Sequence, residues 1–446
     1  MDTHTAKPTT VLDRPSVAPS ALERESVIVI GLGYVGLPLA VLARSSGFEV
    51  AGVDIDTRRH SRMRSGSVPD LDERSRASLN GNPLEVSADF ALISEASIVI
   101  VCVPTPVDAE REPDLTPIRE ATRRIAAHLR RGHLIVLEST VHPGTCEEIM
   151  VPILEEISGL TLGRDFGIAH CPERINPGDK TWTLAKIPRV VGASDQASLK
   201  RAASFYRAIL DAPVREMQSL REAEAVKVVE NSFRDINIAF VNELAMSFSA
   251  LGIDVVRVLE AAATKPFGFM LHYPGCGVGG HCIPVDPYYL IRYAKKNGFA
   301  HHFLSMARTI NESMPAFTVG KLEEALAKHG KKLHGATVAL LGLSYKSDVS
   351  DLRESPAFDI LELLTERGVT VRTFDPHALD HSSERTFSSA LAGADAAVVA
   401  TGHRYFSSLS PQAFLRYGVS VVVDGRNCLP KDEYIDAGIT YRGIGR

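Results

Sequence analysis

The apolar positions of the chain fall into three textures. In the first, short β-branched runs alternate with helical stretches. Residues 27–30 are apolar and end in a glycine turn, 37–45 are apolar at helical spacing, and 48–53 end on an acid. Further strands are predicted over 98–103, 134–137, 166–169 and 189–191, with helical stretches such as 116–130 between several of them. Strands separated by helices predict a mostly parallel sheet covered on both faces. From Ser219 to about Ala263 the period becomes helical, predicting one long helix or two abutting ones with Gly252 as the break. A Gly/Pro-rich loop over 266–287 and a helical stretch over 288–312 follow. The third texture repeats the first. A strand over 337–341 ends in a glycine turn, a helix over 356–367 precedes a strand over 370–374 ending at Asp375, and 396–400 and 419–423 add strands.

The expected fold is therefore α/β, with two Rossmann-like doubly wound domains joined by a central helical domain. The domains are expected at 25–217, 218–315 and 316–446. Residues 1–24, rich in Thr, Pro, Ser and Ala and lacking the apolar core of a signal peptide, are expected to be a disordered tail. Composition narrows the function by exclusion. A net charge of −5 over 446 residues shows no basic excess for nucleic acid. No apolar run approaches the roughly 20 residues that span a bilayer. The six cysteines contain no CxxC pair, which argues against a disulfide scaffold and a zinc cluster. No metal, no membrane, reduced thiols and a cytoplasmic location are the expectations.

The first glycine turn reads Gly31-Leu32-Gly33-Tyr34-Val35-Gly36, and the acid roughly 20 residues on is Asp54. Gly31 permits the tight turn, Gly33 lets backbone approach a pyrophosphate, and Gly36 lets the helix pack on the strand. The helix N-terminus favours the phosphates, and Asp54 would accept bonds from ribose hydroxyls, favouring NAD over NADP. The third domain has Gly342-Leu343-Ser344-Tyr345 instead, so a ligand other than a dinucleotide pyrophosphate is expected there. Between residues 275 and 286 lie four glycines, then Cys282 and Asp286. So many glycines are costly in backbone entropy and point to close approach of backbone to a ligand. A thiol at the end of such a loop is a candidate nucleophile, with Asp286 to accept a proton. A small buried cysteine is the competing reading. Lys227 and Asn231 share a helix face, with Glu224 on the same stripe, and could stabilise an oxyanion; a solvated face is the alternative. Glu230 and Arg234 read as an ordinary surface pair. Thr140 and Glu173 each follow a strand, where doubly wound sheets bind ligands; capping and a surface carboxylate are the alternatives.

Taken in order, these motifs resemble the UDP-glucose/GDP-mannose dehydrogenase family from about Ser26 to Asn427. Val103-Pro104-Thr105-Pro106, Ser139–Thr145, Tyr345-Lys346 and Asp424-Gly425-Arg426 complete the set. The resemblance implies NAD and a UDP-sugar, with a four-electron oxidation of the C6 alcohol through the aldehyde. Cys282 attacks that aldehyde, a second hydride leaves the thiohemiacetal, and water hydrolyses the thioester. By the same resemblance Lys227 and Asn231 stabilise the oxyanion, Asp286 assists proton transfer, and Thr140 and Glu173 position or activate water. Gly31, Gly33, Tyr34, Val35, Gly36, Asp54, Pro104, Thr105, Thr140 and Arg353 meet the cofactor. Glu173, Arg174, Lys227, Asn231, Phe267, Gly279, Lys346 and Arg426 meet the nucleotide sugar. The long middle helix resembles the family's dimer-forming element, implying a homodimer or higher homo-oligomer. The pathway implied is that of an envelope polysaccharide or another glycoconjugate. Arg174, where the UDP-glucose branch has an aromatic residue, and Phe267-Gly268-Phe269-Met270 resemble the branch acting on UDP-N-acetylhexosamines, with UDP-N-acetylglucosamine the expected substrate. UDP-N-acetylmannosamine, UDP-N-acetylgalactosamine and UDP-glucose are the alternatives. A plain two-electron alcohol dehydrogenase without need of Cys282, and a non-catalytic protein binding NAD or a nucleotide sugar, stay open. Cys276 stands where the family usually has proline, a second thiol near the first.

Overall fold

A computed structural model describes residues 25–64, 79, 84–108, 110–175 and 181–446. The expected tail over 1–24 and residues 176–179 of the loop after Pro172 lie outside the described residues. Four consecutive apolar residues make β1 (Ser26–Ile30), the strand on which the first domain is centred. β2 (Glu49–Val53) and β4 (Ile98–Val101) flank it, both parallel. With β3 (Glu85–Ser87), β5 (Leu134–Leu137), β6 (Gly167–His170), β7 (Arg189–Ala193) and β8 (Val214–Glu216) they form one sheet in the order 3-2-1-4-5-6-7-8, parallel except at the β6–β7 step. Successive side chains of a strand alternate in direction. Val27, Val29, Ile98 and Ile100 accordingly pack in one core with helices Gly36–Ser45 and Gln196–Ile209. Ile28, Ile30, Val99 and Val101 pack in the other with helices Thr116–Ala126 and Val151–Ser158.

Ser219 caps the long helix Leu220–Leu251 by accepting the Glu222 N–H, and Gly252, at φ +71°, ends it. Asp254 caps the abutting helix Val255–Ala262. The single helix expected over 288–312 is instead two, Asp286–Lys296 and His302–Ala327. Gly298 at φ +84° divides them, a conformation that costs glycine no Cβ clash. The second of these helices runs through Pro315 and across the boundary expected at 315/316. An interior proline costs a helix about 3 kcal/mol; here it lies on a buried face with Met314, Thr318, Val319 and Leu322.

The third domain holds β9 (Thr337–Leu341), β10 (Thr370–Phe374), β11 (Ala396–Val399), β12 (Val421–Asp424) and β13 (Thr440–Gly443) in the order 10-9-11-12-13, all parallel. This is the 2-1-3-4-5 variant of the doubly wound sheet, whereas the first domain begins with the dinucleotide order 3-2-1-4-5-6. The chain end docks on the middle domain, with the Val255 N–H bonded to Gly445 O at 2.9 Å. Among the described residues no helix is long and apolar enough to cross a membrane.

Candidate active site

The first glycine turn is shaped by its lack of side chains. A Cβ added at Gly31 (φ +87°) would meet Cys102 O at 2.6 Å, and one at Gly36 would meet Gly31 O at 2.0 Å. Helix Gly36–Ser45 therefore starts hard against the strand. At Gly33 the nearest atom among the described residues beyond its chain neighbours is an Arg59 nitrogen, 3.5 Å from where a Cβ would stand, so among these residues the backbone at the helix N-terminus is uncovered. Val35 immediately precedes that helix without a side-chain capping bond, and the exposed Tyr34 carries the Arg353 guanidinium 5.3 Å from its ring centroid. Asp54 is buried and already engaged: it accepts the Leu32 N–H (2.8 Å), the Asp56 N–H (2.8 Å) and Arg59 (3.1 Å). The acid expected to meet ribose hydroxyls thus also braces the turn. Pro104 is exposed, and Thr105 O accepts the Tyr289 hydroxyl at 2.9 Å, fastening this loop to helix Asp286–Lys296.

Cys282 is part-exposed immediately before that helix, its carbonyl accepting the N–H groups of Val285 (3.1 Å) and Asp286 (2.8 Å). The buried Asp286 carboxylate accepts the Asn231 side-chain amide at 2.5 Å. Lys227, one turn earlier on the long helix, is 8% exposed and its charge acts on both Cys282 and Asp286. Burial pushes the Asp286 carboxyl up to about 7 against the pull of Lys227 and Asn231. Burial and then the Asp286 charge push the Cys282 thiol up to about 12. The thiol is therefore protonated at neutral pH and needs a base, and Asp286 titrates where it can serve. The charge of Glu173 also reaches Cys282, and its carboxylate accepts the Ile175 N–H. Thr140 is half-buried at the end of β5, next to Ser139, whose hydroxyl donates to Val103 O at 2.7 Å.

The glycines of the Cys282 loop admit protein atoms. An added Cβ would meet Pro356 at 2.8 Å from Gly277, Glu354 O at 2.6 Å from Gly279, and the Tyr345 ring at 2.8 Å from Gly280. The close approach expected for a ligand is, at these positions, an approach of the third domain. The Gly280 N–H donates to Arg353 O at 2.9 Å, and Arg426 donates to Ala400 O (2.9 Å) and Gly277 O (3.2 Å). Lys346 is half-buried beside Tyr345. Cys276 is buried in the core of the third domain, its Sγ 3.5 Å from Ala400 O. Phe267 stands apart at 64% exposure, with Lys265 Nζ 4.9 Å from its ring. Arg174 binds Glu230 and Pro188 O, so Glu230 ties the long helix to the loop after β6 rather than pairing with Arg234 as expected.

Three family models match the chain in order: the NAD-binding domain of the UDP-glucose/GDP-mannose dehydrogenase family over residues 25–210, its central domain over 221–313 and its UDP-binding domain over 339–431. The chain belongs to the UDP-glucose/GDP-mannose dehydrogenase family. It is 37% identical over 427 residues to the UDP-N-acetyl-D-mannosamine dehydrogenase of Pyrococcus horikoshii, covering 94% of this chain and 99% of that one. It is also 37% identical over 415 residues to the UDP-N-acetyl-D-glucosamine 6-dehydrogenase of Pseudomonas aeruginosa, covering 91% and 98%. The solved structure of the Pyrococcus horikoshii UDP-D-ManNAc dehydrogenase superposes with a TM-score of 0.88 over 94% of this chain and 99% of that one, at 37% identity. The protein is an NAD-dependent nucleotide-sugar dehydrogenase standing among the UDP-N-acetylhexosamine enzymes of the family. The open backbone at Gly33 and the unpaired N–H groups that begin any helix fit the NAD pyrophosphate.

This dehydrogenase also uses residues the sequence reading passed over. Glu138 and Arg189 are buried at the ends of β5 and β7, 3.5 Å apart, with the Tyr206 hydroxyl 2.6 Å from Glu138. Arg189 donates to Pro172 O at 2.8 Å, and the Glu173 N–H donates to Glu138 O at 3.3 Å, so the pair suspends the Pro172-Glu173 loop. The available signal was a charge adjoining each apolar strand, which burial obliges to find a partner. Glu224, expected on the Lys227 stripe, turns to the 139–146 loop. It accepts the N–H groups of Gly144 (2.5 Å) and Cys146 (2.8 Å), and burial pushes it up to about 7.

Proposed function

We propose that the protein oxidises the C6 alcohol of UDP-N-acetylglucosamine to the carboxylate in two NAD-dependent steps, with Cys282 as the nucleophile. The observation that carries the chemistry is the Asn231–Asp286 hydrogen bond at the helix end where Cys282 sits, inside the field of Lys227. Bound NAD supplies the hydride acceptor for each oxidation. At the aldehyde, the Cys282 sulfur forms a bond to C6, its proton passes to Asp286, and the carbonyl electron pair moves to oxygen beside Lys227 and Asn231. After the second oxidation water adds to the thioester carbon and gives one proton to Glu173, the C–S bond breaks, the proton held by Asp286 returns to sulfur, and the acid formed loses its remaining proton to solvent. Glu173 and Thr140 position that water. Tyr34, Val35, Asp54, Pro104, Thr105 and Arg353 hold the cofactor, and Arg174, Phe267, Gly279, Lys346 and Arg426 hold the nucleotide sugar.

Two features support the glucosamine epimer: the relationship to the Pseudomonas aeruginosa enzyme and the likeness of Phe267–Met270 to UDP-N-acetylglucosamine enzymes. The equal identity to the Pyrococcus horikoshii enzyme supports UDP-N-acetylmannosamine as the second reading. Initial rates with UDP-N-acetylglucosamine, UDP-N-acetylmannosamine, UDP-N-acetylgalactosamine and UDP-glucose decide between them. The proposal requires the highest kcat/KM for the first; a higher value for any other sugar overturns it. We further propose that two copies pair through the long helix. Val229, Phe233 and Phe240 lie exposed along it, with Phe303 and Met306 exposed on the helix His302–Ala327, and exposed large apolar side chains gathered on neighbouring elements mark interaction surfaces. Light scattering should give twice the chain mass, and Phe233→Glu should lower it; a wild-type monomer contradicts the pairing.

A further inference from the structure

Below the loops that carry Thr140 and Glu173, three side chains from three separate elements meet in the protein interior. Cys146 opens the helical turn after the 139–145 loop, His170 is the last residue of β6, and Glu224 lies on the long helix. All three are 0% exposed, and one donor atom from each lies within 4.8 Å of the others. Among the described residues the His170 imidazole has no hydrogen-bond partner on Nδ1 or on Nε2. Buried polar groups are nearly always bonded, so a histidine with two orphaned nitrogens calls for an explanation. Glu224 is engaged through the N–H groups of Gly144 and Cys146, but each carboxylate oxygen retains a second lone pair. The Cys146 thiol lies within hydrogen-bond reach of the same carboxylate, and burial drives both groups towards their neutral forms.

We propose that Cys146, His170 and Glu224 bind one zinc ion per chain. A thiolate, a carboxylate and a neutral imidazole around a dication sum to zero charge, the one arrangement in which both acids can ionise in the interior without an uncompensated charge. Sulfur, nitrogen and oxygen donors together are the set that a borderline-soft divalent ion accepts in tetrahedral geometry, with the fourth position left for water. Binding displaces the Cys146 proton to solvent, so affinity rises with pH. Cysteine spacing gave no sign of such a site, because its ligands come from three elements far apart in sequence rather than from a local pair.

The ion would act as a positioning clamp. Cys146 is six residues beyond Thr140, His170 three before Glu173, and Glu224 three before Lys227. One ion would therefore lock together the strand-end loop, β6 and the long helix that carry these groups. The proposal does not depend on which sugar is the substrate, and its test reads metal rather than turnover. Full-length protein, purified without added metal or chelator and dialysed, should hold about one equivalent of zinc by elemental analysis. His170→Phe, which fills the same space without a ligand, should reduce that at least tenfold. Cobalt exchanged into the wild type should give a near-ultraviolet thiolate charge-transfer band, absent in Cys146→Ser. Wild-type protein that carries no transition metal, and in which neither zinc nor cobalt shifts Tm or the spectrum, overturns the proposal. So does zinc that persists undiminished in a folded His170→Phe.

Discussion

In the first sheet Gly31, φ +87°, follows β1, and in the second Gly342, φ +89°, follows β9. Just past the next strand of each, β2 and β10, an acid accepts the N–H one residue beyond that glycine: Asp54 from Leu32 at 2.8 Å, Asp375 from Leu343 at 2.7 Å. Beyond this the two halves part. The first begins its helix at Gly36, leaves backbone bare at Gly33, and lets its acid hold the half-exposed Arg59. The second delays its helix to Pro356, places the Tyr345 ring against Gly280, and closes its acid with Ser344 and the buried His403 at 3.1 Å. Because His403 Nδ1 accepts the Asp348 N–H, its Nε2 is the nitrogen that donates to Asp375. The shared frame of strand, glycine and acid is thus a folding device. We propose that a bare second glycine with an immediate helix makes a cofactor site of it; in the other half a tyrosine in that turn makes it a wall for the Cys282 loop.

Gly33→Ala breaks the comparison most directly. Among the described residues the nearest atom to the new Cβ, beyond the adjoining residues, is 3.5 Å away, so Tm should hold while NAD affinity falls by about 10- to 100-fold, the worth of one hydrogen bond to a charged group. Unchanged affinity by calorimetric titration would mean that the pyrophosphate does not lie there. Tyr345→Ala should do the opposite, leaving NAD affinity within about twofold and lowering kcat by roughly tenfold as the Cys282 loop loses its support. Steady-state kinetics with varied NAD separates the two.

Asp375→Asn should cost about 1–3 kcal/mol in urea unfolding at pH 7, more than Asp54→Asn. Burial raises the Asp375 carboxyl, but His403 and the N–H groups of Ser344 and Leu343 overcome it and hold the group far below its usual range. Its contribution is therefore complete above the unfolded carboxylate value of about 4 and is lost as pH falls below it. The variant should flatten the acid arm of the stability profile between about pH 4 and 2. Smallest of all, Arg59→Ala should change NAD affinity by no more than about fivefold, since an exposed partner contributes at most about 1 kcal/mol.

The first half was legible because its signals are local: a β-branched strand, three glycines, a helix and an acid fall within one short span. Gly252 was legible for the same reason. The break at Gly298 was not, because apolar residues continue on both sides and a left-handed glycine looks the same in sequence as a tolerated one. The boundary expected at 315/316 falls at Pro315, a residue that disfavours helix interiors, yet the buried helix carries through it. At the site, the i, i+4 pair Lys227 and Asn231 was readable, but the pairing of Arg174 with Glu230 joins elements 56 residues apart, and no local pattern encodes it. The same holds for Glu138 with Arg189, where only the presence of a charge at the end of an apolar run was visible.

The account turns on Cys282 standing within reach of Asp286, Lys227 and Asn231 as a nucleophile rather than as a packed thiol. The measurement that addresses it is the number of NADH formed per UDP-N-acetylhexosamine consumed, with mass-spectrometric assay of the uronate, for the wild type and for Cys282→Ser. The account predicts two NADH and stoichiometric uronate for the wild type. For Cys282→Ser it predicts no free uronate, with product halted at the aldehyde or bound to the protein. A Cys282→Ser enzyme that still delivers two NADH and free uronate at the wild-type rate contradicts it.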